Sequence, residues 1–195
     1  MAGPGWYSIE AFADSIAELC RELGLPPAVF LGHSLGGPLA VRFATRHPGL
    51  TKAIVLVAGT VDVFAEALGG RHLGRNLRHH PRTVGRLHPG DGLGQLRCPV
   101  IAIGADHDAI SPLPDLAAFA QAVPAARTVV LEGTGHMVML ERPDAFNTEI
   151  TRFLDRLLRE GETAPADPAP SPGRTQPQQD RPGQTRRIPG NDSTP

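Results

Sequence analysis

The 195-residue sequence predicts an α/β fold, an open parallel sheet flanked by helices in three layers. Three observations carry that reading. Four short segments are continuous apolar runs instead of alternating ones, the pattern of strands covered on both faces. They alternate with segments of helical period. Strand–helix–strand alternation in turn joins parallel neighbours through right-handed crossovers.

The elements follow in order. Ser8 to Leu23 carries Ile9, Phe12, Ile16, Leu19 and Leu23 at helical spacing, with Ser8 as N-cap and Gly24 as the stop. Ala28–Leu31 is a short apolar strand ending at Gly32, and Leu35 to Arg46 is a helix closed by His47-Pro48-Gly49. The second strand is Ala53–Val57, the third Val100–Ile103 and the fourth Thr128–Leu131, with a helix from Pro114 to Ala122 between the last two. Pro143 then opens a helix with Phe146, Ile150, Phe153 and Leu157 on one face.

Composition narrows the function. Hydrophobic residues are 41% of the chain, enough for a buried core. Lys+Arg is 19 and Asp+Glu is 20, a balance that argues against nucleic acid or an anionic membrane as partner. No 18-residue apolar run is present, and residues 1–6 show no signal-peptide pattern. Cys20 and Cys98 cannot build a disulfide framework, so a cytoplasmic setting is expected, with both as inert core thiols. High Ala, Arg, Gly and Pro usage suggests a GC-rich bacterial source. Residues 161–195 hold eight of the 20 prolines, no aromatic residue and one large aliphatic, Ile188. They are expected to be a disordered tail, leaving 1–160 as the folded domain.

The strongest motif is Gly32-His33-Ser34-Leu35-Gly36-Gly37, which fits G-x-S-x-G and lies between an apolar strand and a helix. In that context the serine sits at the tip of a tight, strained turn, and Gly32 and Gly36 leave room for it. The Leu35 N–H, at the start of the helix, is placed to donate to an oxyanion. The plainer reading is a structural Gly-Ser turn.

This motif resembles the nucleophile elbow of the α/β-hydrolase superfamily, of the esterase, haloperoxidase and C–C hydrolase type. The likeness continues through the order of elements to about residue 158. It implies the chain order serine, acid, histidine, with the acid and histidine on loops after later strands. After the third strand, Gly104-Ala105-Asp106-His107-Asp108-Ala109-Ile110-Ser111-Pro112 resembles the acid loop. Asp108 keeps the family's spacing to Pro112; Asp106 is the alternative, and a helix-capping carboxylate is the plainer one. After the fourth strand, Glu132-Gly133-Thr134-Gly135-His136 resembles the histidine loop, and Glu141-Arg142-Pro143-Asp144-Ala145-Phe146 continues the match. The resemblance thus implies Ser34 as nucleophile, Asp108 as acid and His136 as base.

The remaining histidines carry less. His33 is expected to pack near the pocket, His47 and His88 precede prolines, and His79 and His80 are adjacent. No zinc-ligand spacing occurs, so neither metal nor cofactor is expected. Residues 59–97 occupy the position of the family's cap and are expected to form a short lid. Arg71, Arg75, Arg78, Arg82 and Arg86 there suggest a basic lip for an anionic substrate, or simply a solvated face.

The resemblance begins at the helix before the nucleophile strand. The strands that family members carry upstream, and the His-Gly loop with the second oxyanion donor, have no counterpart in these residues. Ala28–Leu31 is therefore expected at an exposed edge where an oligomer or partner chain could dock, with Trp6 and Tyr7 as partial cover. The expected function is hydrolysis of an ester, thioester or similar small-molecule carbonyl through an acyl-enzyme. The alternatives are a catalytically silent remnant acting as a binding protein, and a cofactor-free haloperoxidase or C–C hydrolase.

Overall fold

Each apolar run becomes a strand: β1 Ala28–His33, β2 Thr51–Val57, β3 Val100–Ala105 and β4 Arg127–Leu131. The structure is a computed structural model of the chain and describes residues 8–59, 93–162 and 185–190. The helices are α1 Ile9–Glu22, α2 Gly36–Arg46, α3 Leu113–Ala122, the single turn α4 Val138–Glu141, and α5 Pro143–Glu162. A fifth strand, β5 Thr185–Ile188, comes from the tail. All five pair parallel in the order β1-β2-β3-β4-β5.

Period-2 geometry sorts the apolar runs onto two faces. Ile54, Leu56, Val100, Ala102 and Val130 pack with Val41 and Ala44 of α2 and with Leu116 and Phe119 of α3. Ala53, Val55, Val57, Ile101, Ile103, Val129 and Leu131 face the other way, onto Phe146, Phe153 and Leu157 of α5. Burying each of these α5 side chains contributes about 1.5–3 kcal/mol. Helix α1 forms an outer layer on α2.

The stripe that α1 buries differs from expectation. Ser8 caps it as predicted, accepting from Ala11 N at 3.1 Å, and Gly24 follows at φ +61°. The buried residues, however, are Ile9, Ala13, Ala17 and Cys20, while Phe12, Leu19 and Leu23 stay exposed. The small Ala13 and Ala17 let the helix approach Phe43 of α2, and that close approach decides which face turns inward.

The expectation of disorder throughout 161–195 is corrected at residues 185–190. Thr185–Ile188 pairs with Thr128–Leu131, a placement made by tertiary contacts and not by local apolar content. Arg186 reaches the carboxylate of Glu149, a residue of α5 that is 1% exposed, at 3.4 Å. Arg152 meets the same carboxylate at 2.7 Å. A buried carboxylate is costly unless opposed by charge, so Glu149 gives the tail a specific docking point. Ile188 adds to the apolar face of α5.

The expected lid at 59–97 lies mostly outside the described residues, including its five arginines, as do Trp6 and Tyr7. Of its described ends, Gly59 is buried and Leu93 joins the core. Among the described residues β1 pairs only with β2 and stands at one end of the sheet, with Leu31 52% exposed. No helix among them is long and apolar enough to cross a membrane.

Candidate active site

Because every strand runs the same way, their C-terminal ends line one edge of the sheet. His33 pairs with Val57, Val57 with Ile103, and Ala105 with Leu131. The residues that follow these ends are Ser34, Ala58, the Asp106–Asp108 loop and the Glu132–His136 loop. This edge is where open α/β sheets gather their sites.

Ser34 occupies the turn between β1 and α2 with φ +53°, in the left-handed region that a residue with a Cβ seldom adopts. Its N–H donates to Val57 O at 2.9 Å, and its carbonyl accepts from Gly37 N at 2.9 Å. The turn closes because glycines let three backbones meet. A Cβ on Gly32 would overlap the Gly36 carbonyl, one on Gly37 would overlap the Gly59 carbonyl, and one on Gly59 would overlap the Ser34 carbonyl. Gly36 itself faces open space. The room expected from Gly36 is supplied instead by Gly37 and Gly59. The doubled Gly36-Gly37 was visible in the motif; Gly59 had no signal beyond following a strand. Ala58, at φ +45°, is a second left-handed non-glycine residue beside the elbow.

Leu35 stands as the N-cap residue of α2 and is 43% exposed, so its backbone lies at the positive end of the helix dipole.

His136 Nδ1 lies 2.9 Å from Asp108 Oδ2. Asp108 is 4% exposed, and its other oxygen accepts from Ile110 N at 2.8 Å and Ser111 N at 2.9 Å. Ile110 N and Ser111 N fill Oδ1, so Oδ2 is the acceptor that faces His136 Nδ1. A proton on Nδ1 in that bond leaves Nε2 as the ring nitrogen with the lone pair.

Asp106, the alternative acid, does something different. Its Oδ1 accepts from Gly133 N at 2.7 Å and from Thr134 N at 3.3 Å, fastening the histidine loop to the acid loop. His107 N adds a bond to Thr134 O at 2.9 Å. Glu141 completes the hold, its carboxylate accepting from Gly135 N at 2.8 Å and Met137 N at 3.2 Å, one on each side of His136. In the sequence Glu141 stands only within the run Glu141–Phe146. An acid five residues after a loop histidine was the signal for its role.

His33 joins the elbow to the histidine loop. Its Nε2 lies 3.0 Å from His136 O, and the two ring centroids are 4.8 Å apart. A carbonyl can only accept, so His33 carries its proton on Nε2. The structure thus brings Ser34, Asp108 and His136 to one edge, with Asp108 and His136 in direct contact and the serine turn tied to His136 through His33. Among the described residues no group of three or more His, Cys, Asp or Glu side chains could hold a metal ion. Cys98 lies away from this edge, beside the start of β3, and burial pushes its thiol up.

A parallel sheet whose first described strand turns through a left-handed serine into a helix, with the acid and histidine loops on the same edge, is the α/β-hydrolase fold. The chain belongs to the α/β-hydrolase superfamily. The family profile described as alpha/beta hydrolase fold matches residues 2–76, and the alpha/beta hydrolase family profile matches 62–149. Among curated proteins it is similar to the provisionally named carbamate hydrolase RutD of Agrobacterium fabrum. That likeness is 24% identical over 75% of this chain and 74% of the relative. Among solved structures it resembles MGS-MChE2, an alpha/beta hydrolase enzyme from a sediment metagenome of the Mar Chica lagoon, Morocco. The TM-score is 0.65 at 22% identity, covering 76% of this chain and 70% of that one. It also resembles a thermophilic esterase from Thermogutta terrifontis, with TM-score 0.64 at 23% identity over 80% and 75% of the two chains.

Proposed function

We propose that this protein is a serine hydrolase acting on an ester or a closely related acyl carbonyl. The observation that carries the reading is the buried, triply bonded Asp108 against His136 Nδ1, beside a serine held in a left-handed turn. Ser34 Oγ attacks the carbonyl carbon. His136 Nε2 takes the hydroxyl proton and returns it to the departing alcohol. Asp108 keeps the imidazole in the tautomer that leaves Nε2 basic, and stabilises the imidazolium once it forms. The Leu35 N–H, at the start of α2, faces the developing oxyanion. Water, deprotonated by the same histidine, then releases the acyl group and regenerates the serine. The names of the similar proteins, an esterase and a provisionally named carbamate hydrolase, both point to a carbonyl bearing a heteroatom leaving group, which agrees with this chemistry.

The test is steady-state turnover of p-nitrophenyl acetate and of a p-nitrophenyl N-alkylcarbamate by the purified full chain. Saturable release of p-nitrophenol from the acetate is the expected result, with slower or stalled turnover of the carbamate, whose carbamoyl-enzyme is less electrophilic. Soluble, folded protein that turns over neither ester nor carbamate would contradict the reading and favour a binding role for the fold.

A further inference from the structure

The histidine loop is held by a collar of acceptors, and one of them comes from the tail. Gly133 N and Thr134 N go to Asp106, and Gly135 N and Met137 N go to Glu141. Glu132 N, the first of the loop, goes to Ile188 O of β5 at 2.9 Å. The tail then continues along the loop. Pro189 O accepts from Arg142 Nη1 at 2.6 Å, and the same nitrogen lies 3.3 Å from Glu132 O. Arg187 Nη1 meets Glu132 Oε1 at 3.1 Å. Gly190 lies over Gly133, whose φ of +74° makes the bend into the loop.

We infer that residues Thr185–Gly190 are a positioning element for His136, not merely a cover for the β4 edge. Edge cover alone would need only the ladder to Thr128–Leu131. Here, past the last rung at Glu132 N, the docking contacts extend onto the Glu132 carboxylate, Gly133 and Arg142, and so onto the loop that carries the histidine. The docking is also side-chain specific. Thr185 Oγ1 lies 2.7 Å from Thr128 Oγ1, Arg186 faces the buried Glu149, and Ile188 packs on the α5 core. The alternation works because Arg186 and Ile188 point to the α5 side of the sheet while Thr185 and Arg187 point to the other. His136 holds its geometry only while the collar is closed, so releasing the tail lowers the rate of the chemical step more than it weakens substrate binding.

This inference rests on the hydrolase reading for its kinetic consequence but not for its structural one, and the experiment separates them. The full chain carrying Arg186→Glu and Ile188→Asp places a like charge beside Glu149 and a charge on the apolar face, which undocks the tail. Amide hydrogen exchange is followed across residues 128–137, together with kcat and KM on p-nitrophenyl acetate. The expected result is faster exchange at Gly133 and Thr134, beyond the ladder, and a kcat lowered by about tenfold with KM within about twofold. A synthetic peptide of residues 183–191, added to the variant, restores both. Faster exchange confined to 128–132 with unchanged kcat would overturn the inference and leave the tail as edge cover. Loop exchange unchanged in a variant whose β4 has become exchangeable would overturn it as well. A wild-type chain without turnover counts against the hydrolase reading alone, and exchange at the loop still decides whether the tail orders it.

Discussion

Ser34→Ala is expected to lower kcat on p-nitrophenyl acetate by about 10⁵-fold or more, with the thermal midpoint nearly unchanged. The magnitude follows from the serine being the group that forms the covalent bond; the Thr134 hydroxyl on the histidine loop is engaged, donating to Leu131 O at 2.6 Å. The unchanged stability follows from the backbone. Alanine at φ +53° carries the same left-handed cost as serine, and the bonds to Val57 O and from Gly37 N are made by the main chain. Progress curves of the variant against the wild type, with melting curves for both, check the two halves separately. A variant retaining more than about a hundredth of the wild-type rate would mean that the hydrolysis arises elsewhere.

Asp108→Asn is the second large effect, an expected fall in kcat of about 10⁴-fold. The cause is a tautomer error that the surrounding bonds enforce. Ile110 N and Ser111 N both need an acceptor at Oδ1, so the asparagine oxygen stays there. Its NH2 group then faces His136 Nδ1, which must present a lone pair, and the ring proton moves to Nε2, where Ser34 needs a base. Asp106→Asn is the internal control. An amide oxygen at its Oδ1 position still accepts from Gly133 N and Thr134 N, so its cost is expected to stay below about tenfold. Measuring kcat/KM across pH for both variants checks the pair. The reverse ranking would transfer the acid role to Asp106.

Local chemistry explains what was legible in the sequence. The four apolar strands, the Ser8 cap and the α5 stripe of Phe146, Phe153 and Leu157 were readable because each depends on short-range periodicity or a single capping residue. That Ser34, Asp108 and His136 would share one edge was readable, because each lies in a short motif directly after a strand and the fold brings strand ends together. What was not legible depends on contacts distant in sequence. The buried side of α1 was set by how closely Ala13 and Ala17 let it approach Phe43, not by where its largest apolar residues fell. Strand β5 has one aliphatic side chain in four, and its placement depends on Glu149, 37 positions upstream of Arg186, being buried in α5. Spacing to Pro112 favours Asp108 over Asp106, but spacing does not show what either carboxylate binds. Their difference lies in which backbone N–H groups each one meets, and those belong to different loops.

The most direct test of the central claim is the intact mass of the full chain after exposure to a fluorophosphonate, measured beside Ser34→Ala. The account predicts a single covalent adduct on the wild type, located by peptide mapping to the segment containing Ser34, and none on the variant, because only a serine served by a basic His136 displaces fluoride at neutral pH. Folded wild-type protein that takes up no label, or equal labelling of the variant, would contradict it.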